Sequence, residues 1–330
     1  MRKRLFLSKT DSIFSNLAFE EYLIERASPE PTLFLWRNKP TVTIGRHQNP
    51  WKECNLSLME TSGISLARRY SGGGAVFQDL GCTTFSFLNR IEGTDAKTVI
   101  DSNFDMLCSA LSSLGLNAVR QGRNDIVCSG RKVSGSAFKQ NPSYLLHHGT
   151  ILVNTDLHAL SRLLTPDKLK LQSKGISSVS ARVTNLEDLN SSVSHEVVCD
   201  AITREFQGRY PSGDNSIEKF DFDSPMLHSV EYLSHFEKLQ DWNWRFGSTP
   251  DFSHSFSTRI DGLGCFDLHL NVSGATITKC RLFSDCLDTG LVGSTTSALN
   301  GCTYHIDAVG EALRDNPLRD WVAFEISKSM

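Results

Sequence analysis

The residues with the most chemical content lie in two short segments. The first is Arg68-Arg69-Tyr70-Ser71-Gly72-Gly73-Gly74-Ala75-Val76-Phe77-Gln78-Asp79. Consecutive glycines cost backbone entropy, and they make sense where φ is positive or where the backbone must approach another group closely. Exposed N–H groups beside two arginines would cradle a phosphoanion. The segment is neither a Walker A loop, which would continue Gly-Lys-Ser/Thr, nor G-x-G-x-x-G, because position 77 is Phe. An ordinary tight turn accounts for the same glycines. The second segment runs from Gly122 through Arg123-Asn124-Asp125 to Arg131-Lys132-Val133-Ser134-Gly135-Ser136-Ala137. Two strands joined around Ser129-Gly130 make a hairpin that brings Asn124 and Asp125 near Lys132 and Ser134. An acid able to hold Mg²⁺ beside a lysine able to hold an oxyanion suits phosphoryl or nucleotidyl chemistry, where catalysis is mostly positioning and charge stabilisation. A solvated hairpin with a cross-strand Asp–Lys pair is the plainer account.

Tandem His147-His148 sits in a strand-like run, so one ring faces each side. One of them lines a pocket on this reading, and the inward one is a satisfied core histidine; no second ligand at metal spacing accompanies either. Trp36 offers an apolar wall, although core packing is the default for such a residue. The nine cysteines are scattered and contain no C-x-x-C, which argues against a zinc site or a disulfide scaffold and fits a reducing compartment.

The elements that must position these groups follow from periodicity. Phe14 to Ala27 reads as a helix with Phe14, Leu17, Ala18, Leu23 and Ile24 on one face and acids on the other. Strand-like runs cover Leu5–Ser8, Thr32–Trp36, Thr41–Ile44, Ile64–Arg68, Ala75–Gln78, Thr83–Leu88, Asn124–Val127, Arg131–Ala137 and Leu145–Val153, with Asn38-Lys39-Pro40 predicting a hairpin between the second and third. One long helix, about Ser102 to Leu114, interrupts them. Strands in succession favour an α+β fold with a mixed or antiparallel sheet over a doubly wound one. Beyond Asp156 the pattern turns helical, with a basic, Ser-rich stretch (Lys168, Lys170, Lys174, Arg182) placed as a loop over a site. Helices are predicted at His195–Arg209 and Met226–Gln240. A boundary falls near residue 246, followed by strands Phe266–Asn271 and Thr276–Leu282 meeting at Ser273-Gly274, and then further helices.

The chain's 330 residues allow one large domain and a small one, and 39% hydrophobic with 22% charged residues is ordinary globular usage. Lys+Arg 34 against Asp+Glu 37 gives a net charge of −3, too balanced for a generic nucleic-acid binder. No apolar run reaches the ~18–20 residues of a membrane span. The start, Met1-Arg2-Lys3-Arg4-Leu5, lacks the apolar core of a secretory signal. The expected location is the cytoplasm, or the mitochondrial matrix for a eukaryotic source.

Taken together, the segments resemble the lipoate-protein ligase A family along almost the whole chain. The resemblance runs through Leu33-Phe34-Leu35-Trp36-Arg37-Asn38, Thr43 to Asn55, Ala67 to Phe77, Gly122 to Asp125, Arg131 to Ala137 and His147 to Thr150. It continues through Thr165 to Lys170, Lys174 to Leu186, and the tail from Trp242 onward. It implies a mixed-sheet catalytic domain of the biotin/lipoate ligase type over residues 1–246, with a small α+β accessory domain over 247–330. It also implies ATP-dependent activation of (R)-lipoate to lipoyl-AMP, with pyrophosphate released, and transfer of the lipoyl group to a lysine of an apo lipoyl domain. The implied acceptors are the E2 subunits of 2-oxoacid dehydrogenases and the glycine-cleavage H protein, and the implied state is a monomer. By residue matching, Lys132 is catalytic. Arg69, Gly72, Gly73, Gly74, Ala75, Val76, Phe77, Asn124 and Lys132 hold ATP and the adenylate; Trp36, Ser71, Lys132 and His148 hold lipoate; Asp125 holds Mg²⁺. Gln78 and Cys82 depart from the family pattern, which has His and Asn there. The rivals are a lipoyl or octanoyl transferase using a pre-activated donor, a biotin ligase, and a catalytically silent acyl-protein binding module.

Overall fold

The structure, a computed structural model, describes residues 3–26, 28–164, 182–212, 215–286 and 288–328. The Thr165–Lys170 segment, Lys174 and the larger part of the stretch up to Leu186 lie outside the described residues. The chain divides into two compact units, Met1–Arg46 with Ile64–Gln240, and His47–Gly63 with Asp241–Met330. Residues 47–63 thus group with the C-terminal segment, in addition to the portion beyond the boundary read near residue 246.

In the first unit the principal elements are β1 (Arg4–Ser8), α1 (Ile13–Glu25), β2 (Thr32–Trp36), β3 (Thr41–Ile44), β4 (Ser65–Arg68), β5 (Val76–Gln78) and β6 (Cys82–Arg90). They continue with α2 (Ala96–Ser112), β7 (Ala118–Gln121), β8 (Asp125–Cys128), β9 (Arg131–Gln140), β10 (Tyr144–Leu152), α3 (His195–Arg209), β11 (Glu218–Phe220) and α4 (Val230–Gln240). An eight-stranded mixed sheet has the order β11-β1-β2-β6-β10-β9-β8-β7, and β4-β3-β5 make a separate small sheet. The α+β, mixed-sheet class read from the sequence is the class observed. Along β2, β6, β9 and β10 alternate residues point to opposite faces. Leu33, Leu35, Phe85, Phe87, Val133 and Ile151 face α2 and α3 and form the core with Phe104, Leu107, Ile202 and Phe206.

One strand pairing differs from expectation. β2 and β3 do not form a hairpin: β2 pairs with β1 and β6, while β3 pairs with β4 and β5. Asn38 is buried and accepts a hydrogen bond from Asn16 Nδ2 (3.0 Å), and the Lys39 N–H donates to the Asp11 carbonyl (3.0 Å). The link is fastened beside the start of α1 and carries the chain from one sheet to the other. Both strands are buried along their whole length, so no alternation in their sequence separates the two pairings. The hairpin expected around Ser129-Gly130 is present, with φ of 51° and 75° at those two residues.

The second unit holds an antiparallel sheet of β12 (Phe252–Ile260), β13 (Gly264–Ser273) and β14 (Thr276–Ser284). Phe266, Leu268, Leu270 and Val272 alternate inward along β13. Helices Thr289–Leu299, Ile306–Ala312 and Arg319–Lys328 belong to this unit, and Trp51 meets Tyr304 edge-on at 5.3 Å. Strand β12, with a Ser/Thr-rich sequence, was not expected. Among the described residues no helix is long and apolar enough to cross a membrane.

On the core side of β10, His147 is fully buried among Phe85, Phe87, Phe104 and Phe138, with ring centroids 4.7–6.0 Å away. It is a core histidine, but an unsatisfied one: among the described residues neither ring nitrogen has a hydrogen-bond partner. Burial, with the neighbouring His148 and Arg120 side chains adding to it, lowers its pKa from 6.5 to about 3. Between those values the unfolded chain binds the proton and the folded one refuses it, so stability is complete above pH 6.5 and falls as the pH drops toward 3. At pH 5 this term reaches about 2 kcal/mol. His147→Leu is expected to remove it, so urea unfolding should show the variant gaining on the native protein at pH 5 relative to pH 8.

Candidate active site

The site lies on the sheet face opposite the apolar core, and strand register builds it. Trp36 of β2 pairs with Thr84 of β6, Thr84 with Thr150 of β10, Thr150 with Gly135 of β9, and Gly135 with Asp125 of β8. Two residues along, Ser86, His148 and Ala137 form a second row on the same face. A cavity of about 130 Å³ opens here, lined by Trp36, Thr43, Arg69, Gly74, Ala75, Val76, Gln78, Asn124, Lys132 and His148, with Leu17 from α1. Most of the residues singled out from the sequence therefore converge. Gly72, Gly73, Phe77, Ser71 and Asp125 are not among the lining residues; Phe77 is buried as a core side chain, and the others support the lining from outside it.

The glycine loop between β4 and β5 is organised from within by Arg69. Its Nε donates to Ser71 Oγ (3.0 Å), Nη1 to the Thr43 carbonyl (3.1 Å), and Nη2 to the carbonyls of Gly72 (2.6 Å) and Gly74 (2.8 Å). Burial lowers its pKa to about 10, against the opposing charge of Glu20, which still leaves it protonated at neutral pH. The guanidinium thus shapes the loop through the loop's own backbone. Gly73 has φ +93°, and a Cβ there would stand 2.9 Å from Arg69 Nη2, so a side chain would both strain the backbone and press on the arginine.

A chain of polar groups continues from Ser71. Its hydroxyl lies 2.6 Å from His148 Nε2, and His148 Nδ1 lies 2.9 and 3.0 Å from the two oxygens of Glu20. Ser86 Oγ donates to Glu20 Oε1 (2.6 Å) and accepts from Trp36 Nε1 (3.0 Å). With Nδ1–H donated to the carboxylate, Nε2 accepts the Ser71 hydroxyl and every member has a partner. Glu20 was missed in the sequence because the helical period of α1 assigns its acids to the solvent. In fact Glu20 and Glu21 are both buried, Glu21 paired with Lys139. Burial, opposed by Lys139, raises the Glu21 pKa to about 7. The signal that could have found Glu20 is Asn16 four residues earlier, a polar stripe inside an otherwise apolar helix.

At the far end, Lys132 Nζ meets Asp125 Oδ1 at 2.7 Å, and Arg182 pairs with the other oxygen, Oδ2. A register shift between Ile126 and Val127 sets Lys132 opposite Val127. Gly135 provides the space, since a Cβ there would lie 2.6 Å from Lys132 Nζ and 2.9 Å from Cε. Asn124 Nδ2 donates to the Ser136 carbonyl (2.9 Å), which holds the start of the hairpin. Each carboxylate oxygen of Asp125 thus meets one cation. Among the described residues no group of three or more His, Cys, Asp or Glu side chains is placed to hold a metal.

The two departures from the family pattern separate. Gln78 lines the cavity, its Oε1 accepting from Thr43 Oγ1 (2.8 Å) and its Nε2 donating to Thr84 Oγ1 (2.9 Å). Cys82 is packed with Leu152 and Val183 away from the cavity, and burial pushes its thiol pKa up.

Comparison with known proteins agrees with this geometry. Residues 12–207 match the lipoyl protein ligase A/B catalytic domain, and 249–329 the C-terminal domain of bacterial lipoate protein ligase. A lipoate-protein ligase A of Psychrobacter cryohalolentis is 41% identical over 309 residues, 92% of this chain and 89% of the relative. The structure of P. falciparum LipL1 in complex with lipoate superposes with a TM-score of 0.64 at 31% identity, over 97% of this chain and 99% of that one. A bipartite lipoate protein ligase from Thermoplasma acidophilum, solved in a study of the ligase and its E2 lipoyl domain, gives 0.64 at 28%, over 76% and 98%. A lipoate-protein ligase A bound with ATP gives 0.61 at 27%, over 74% and 96%.

Glu20→Ala would leave the Ser86 hydroxyl and His148 Nδ1–H without their buried acceptor. The expected loss is about 2–4 kcal/mol in denaturant unfolding. Glu20→Gln, which retains an acceptor for Ser86, should lose less.

Proposed function

The chain belongs to the lipoate-protein ligase A family, and from that premise we propose that it activates lipoate with ATP and transfers the lipoyl group to a lysine of apo lipoyl domains. A carboxylate and an amine do not condense at neutral pH, so activation comes first. A lipoate oxygen bonds to the ATP α-phosphorus as the bond to the β-phosphate oxygen breaks, releasing pyrophosphate. The acceptor amine then attacks the acyl carbon of lipoyl-AMP, and AMP leaves with the electron pair of the C–O bond. Negative charge gathers in both steps on the same carboxyl and phosphate oxygens, so one fixed cation serves twice.

The observation that carries this reading is the placement of Lys132 at one end of a cavity whose other end is Trp36, beside the loop from Gly74 to Val76. The acyl chain is assigned to the Trp36 and His148 side, with the reacting carboxyl toward Lys132 and the nucleotide along the glycine loop. The catalytic role is assigned to residues 1–246 and an accessory role to 247–330. The proposed acceptors are E2 lipoyl domains and the glycine-cleavage H protein.

Incubation with ATP, lipoate and an apo lipoyl domain should release pyrophosphate and add one lipoyl mass to the acceptor. No release from free lipoate, with transfer from supplied lipoyl-AMP intact, would make the protein a transferase instead. Lys132→Ala should lower pyrophosphate release by about a hundredfold or more, with a cost of about 1–3 kcal/mol in unfolding because the buried Asp125 loses one of its two cations. Gly135→Ala should reproduce at least a tenfold loss with the fold intact, because its Cβ displaces only the flexible end of Lys132.

A further inference from the structure

We infer that Gln78 is a positioning residue: its amide braces the corner between β5 and β6, and so fixes how far the glycine loop stands from the row of residues that begins at Trp36. This rests on the ATP-dependent reading above, in which the nucleotide lies along that loop and the acyl chain beside Trp36. Gln78 ends β5 of the small sheet, and Asp79, Leu80 and Gly81 join it to β6 of the eight-stranded sheet. The corner is pinned on its Gly81 side. The N–H groups of Val153 and Asn154 both donate to the Gly81 carbonyl (3.0 and 2.9 Å), and a Cβ on Gly81 would stand 2.0 Å from the Asn154 carbonyl oxygen.

A pinned corner still leaves its angle open, and the Gln78 amide closes it. Nε2 donates to Thr84 Oγ1 of β6 (2.9 Å), while Oε1 accepts from Thr43 Oγ1 of β3 (2.8 Å). One carboxamide thus ties the small sheet to the large one, and all three side chains are buried and line the cavity. Thr84 pairs with Trp36 and with Thr150, so the attachment falls in the row that leads across the sheet to Gly135. Near the other end of the loop, Ser71 meets His148 of β10 (2.6 Å). The loop is therefore slung between two attachments to the large sheet. Adenylation joins an atom held against one sheet to an atom held against the other. A shift of about 1 Å in the corner would misalign the two reactants while the groups that hold each of them remain in place.

The test uses the full chain with Gln78→Met, Thr84→Val and the double variant. Each is assayed for pyrophosphate release with ATP and lipoate titrated, and for calorimetric binding of ATP, of lipoate, and of a non-reacting sulfamate analogue of lipoyl-AMP that spans both halves of the cavity. Either single variant should lower kcat and affinity for the analogue about tenfold each, with the separate affinities for ATP and lipoate held within about twofold. The double variant should lose little more than either single one, because both break the same bond. A tenfold loss of affinity for ATP alone or lipoate alone in Gln78→Met would make Gln78 a direct ligand contact and overturn the inference, as would native kinetics in either single variant or fully multiplicative effects. If Gln78→Met does not fold, Thr84→Val decides alone, and an unchanged kcat refutes the brace. If the native protein releases no pyrophosphate from ATP and lipoate, the proposed activity fails and the binding arm still decides. Loss of analogue affinity with the ATP and lipoate affinities intact then supports the brace, and parallel changes in all three refute it. A native protein that binds none of the three ligands refutes both readings.

Discussion

An arginine buried, among the described residues, without a carboxylate partner obliges the chain around it to supply acceptors, because the guanidinium stays charged at neutral pH. At Arg69 the acceptors are three backbone carbonyls and one hydroxyl, from Thr43, Gly72, Gly74 and Ser71. Satisfying them sets the path of the glycine loop, and the loop in turn delivers Gly74, Ala75 and Val76 to the cavity wall. Ser71, held by the same cation, orients His148, which meets Glu20, which holds Ser86, which receives the indole N–H of Trp36. One desolvated charge thereby determines the position of groups on four separate elements.

The central sheet accommodates this because its strands sort residues by parity. Phe85 and Phe87 face the helices while Thr84 and Ser86 face the site; His147 and His148 divide the same way. A slip of one residue in β6 or β10 would exchange an aromatic core for a polar one. That penalty keeps the register, and the register keeps Trp36, Thr84, Thr150, Gly135 and Asp125 in line across five strands.

Much of this was legible because it is local. The turn at Ser129-Gly130 announced the hairpin that joins Asp125 to Lys132, and the tandem histidines announced one ring on each face. What escaped was tertiary. The β2–β3 link looks like a hairpin turn until Asn38 is seen bonded to Asn16. Glu20 reads as a solvated helix acid until Ser86 and His148 are brought to it from β6 and β10. Arg182 stands in a stretch whose charge alone suggested a loop over a site, and nothing in its neighbours names Asp125 as its partner. The role of Gly135 follows from the side chain of another residue three positions earlier, which no turn signal encodes.

The carboxamide of Gln78 is held by a hydroxyl at each end, its oxygen accepting from Thr43 and its nitrogen donating to Thr84. The same side chain lines the cavity. An imidazole in that position would trade donor for acceptor as it gained or lost a proton; the amide keeps one polarity throughout. This wall of the pocket therefore carries a polar group that does not titrate, and offers a visitor the same face in acid and in alkali.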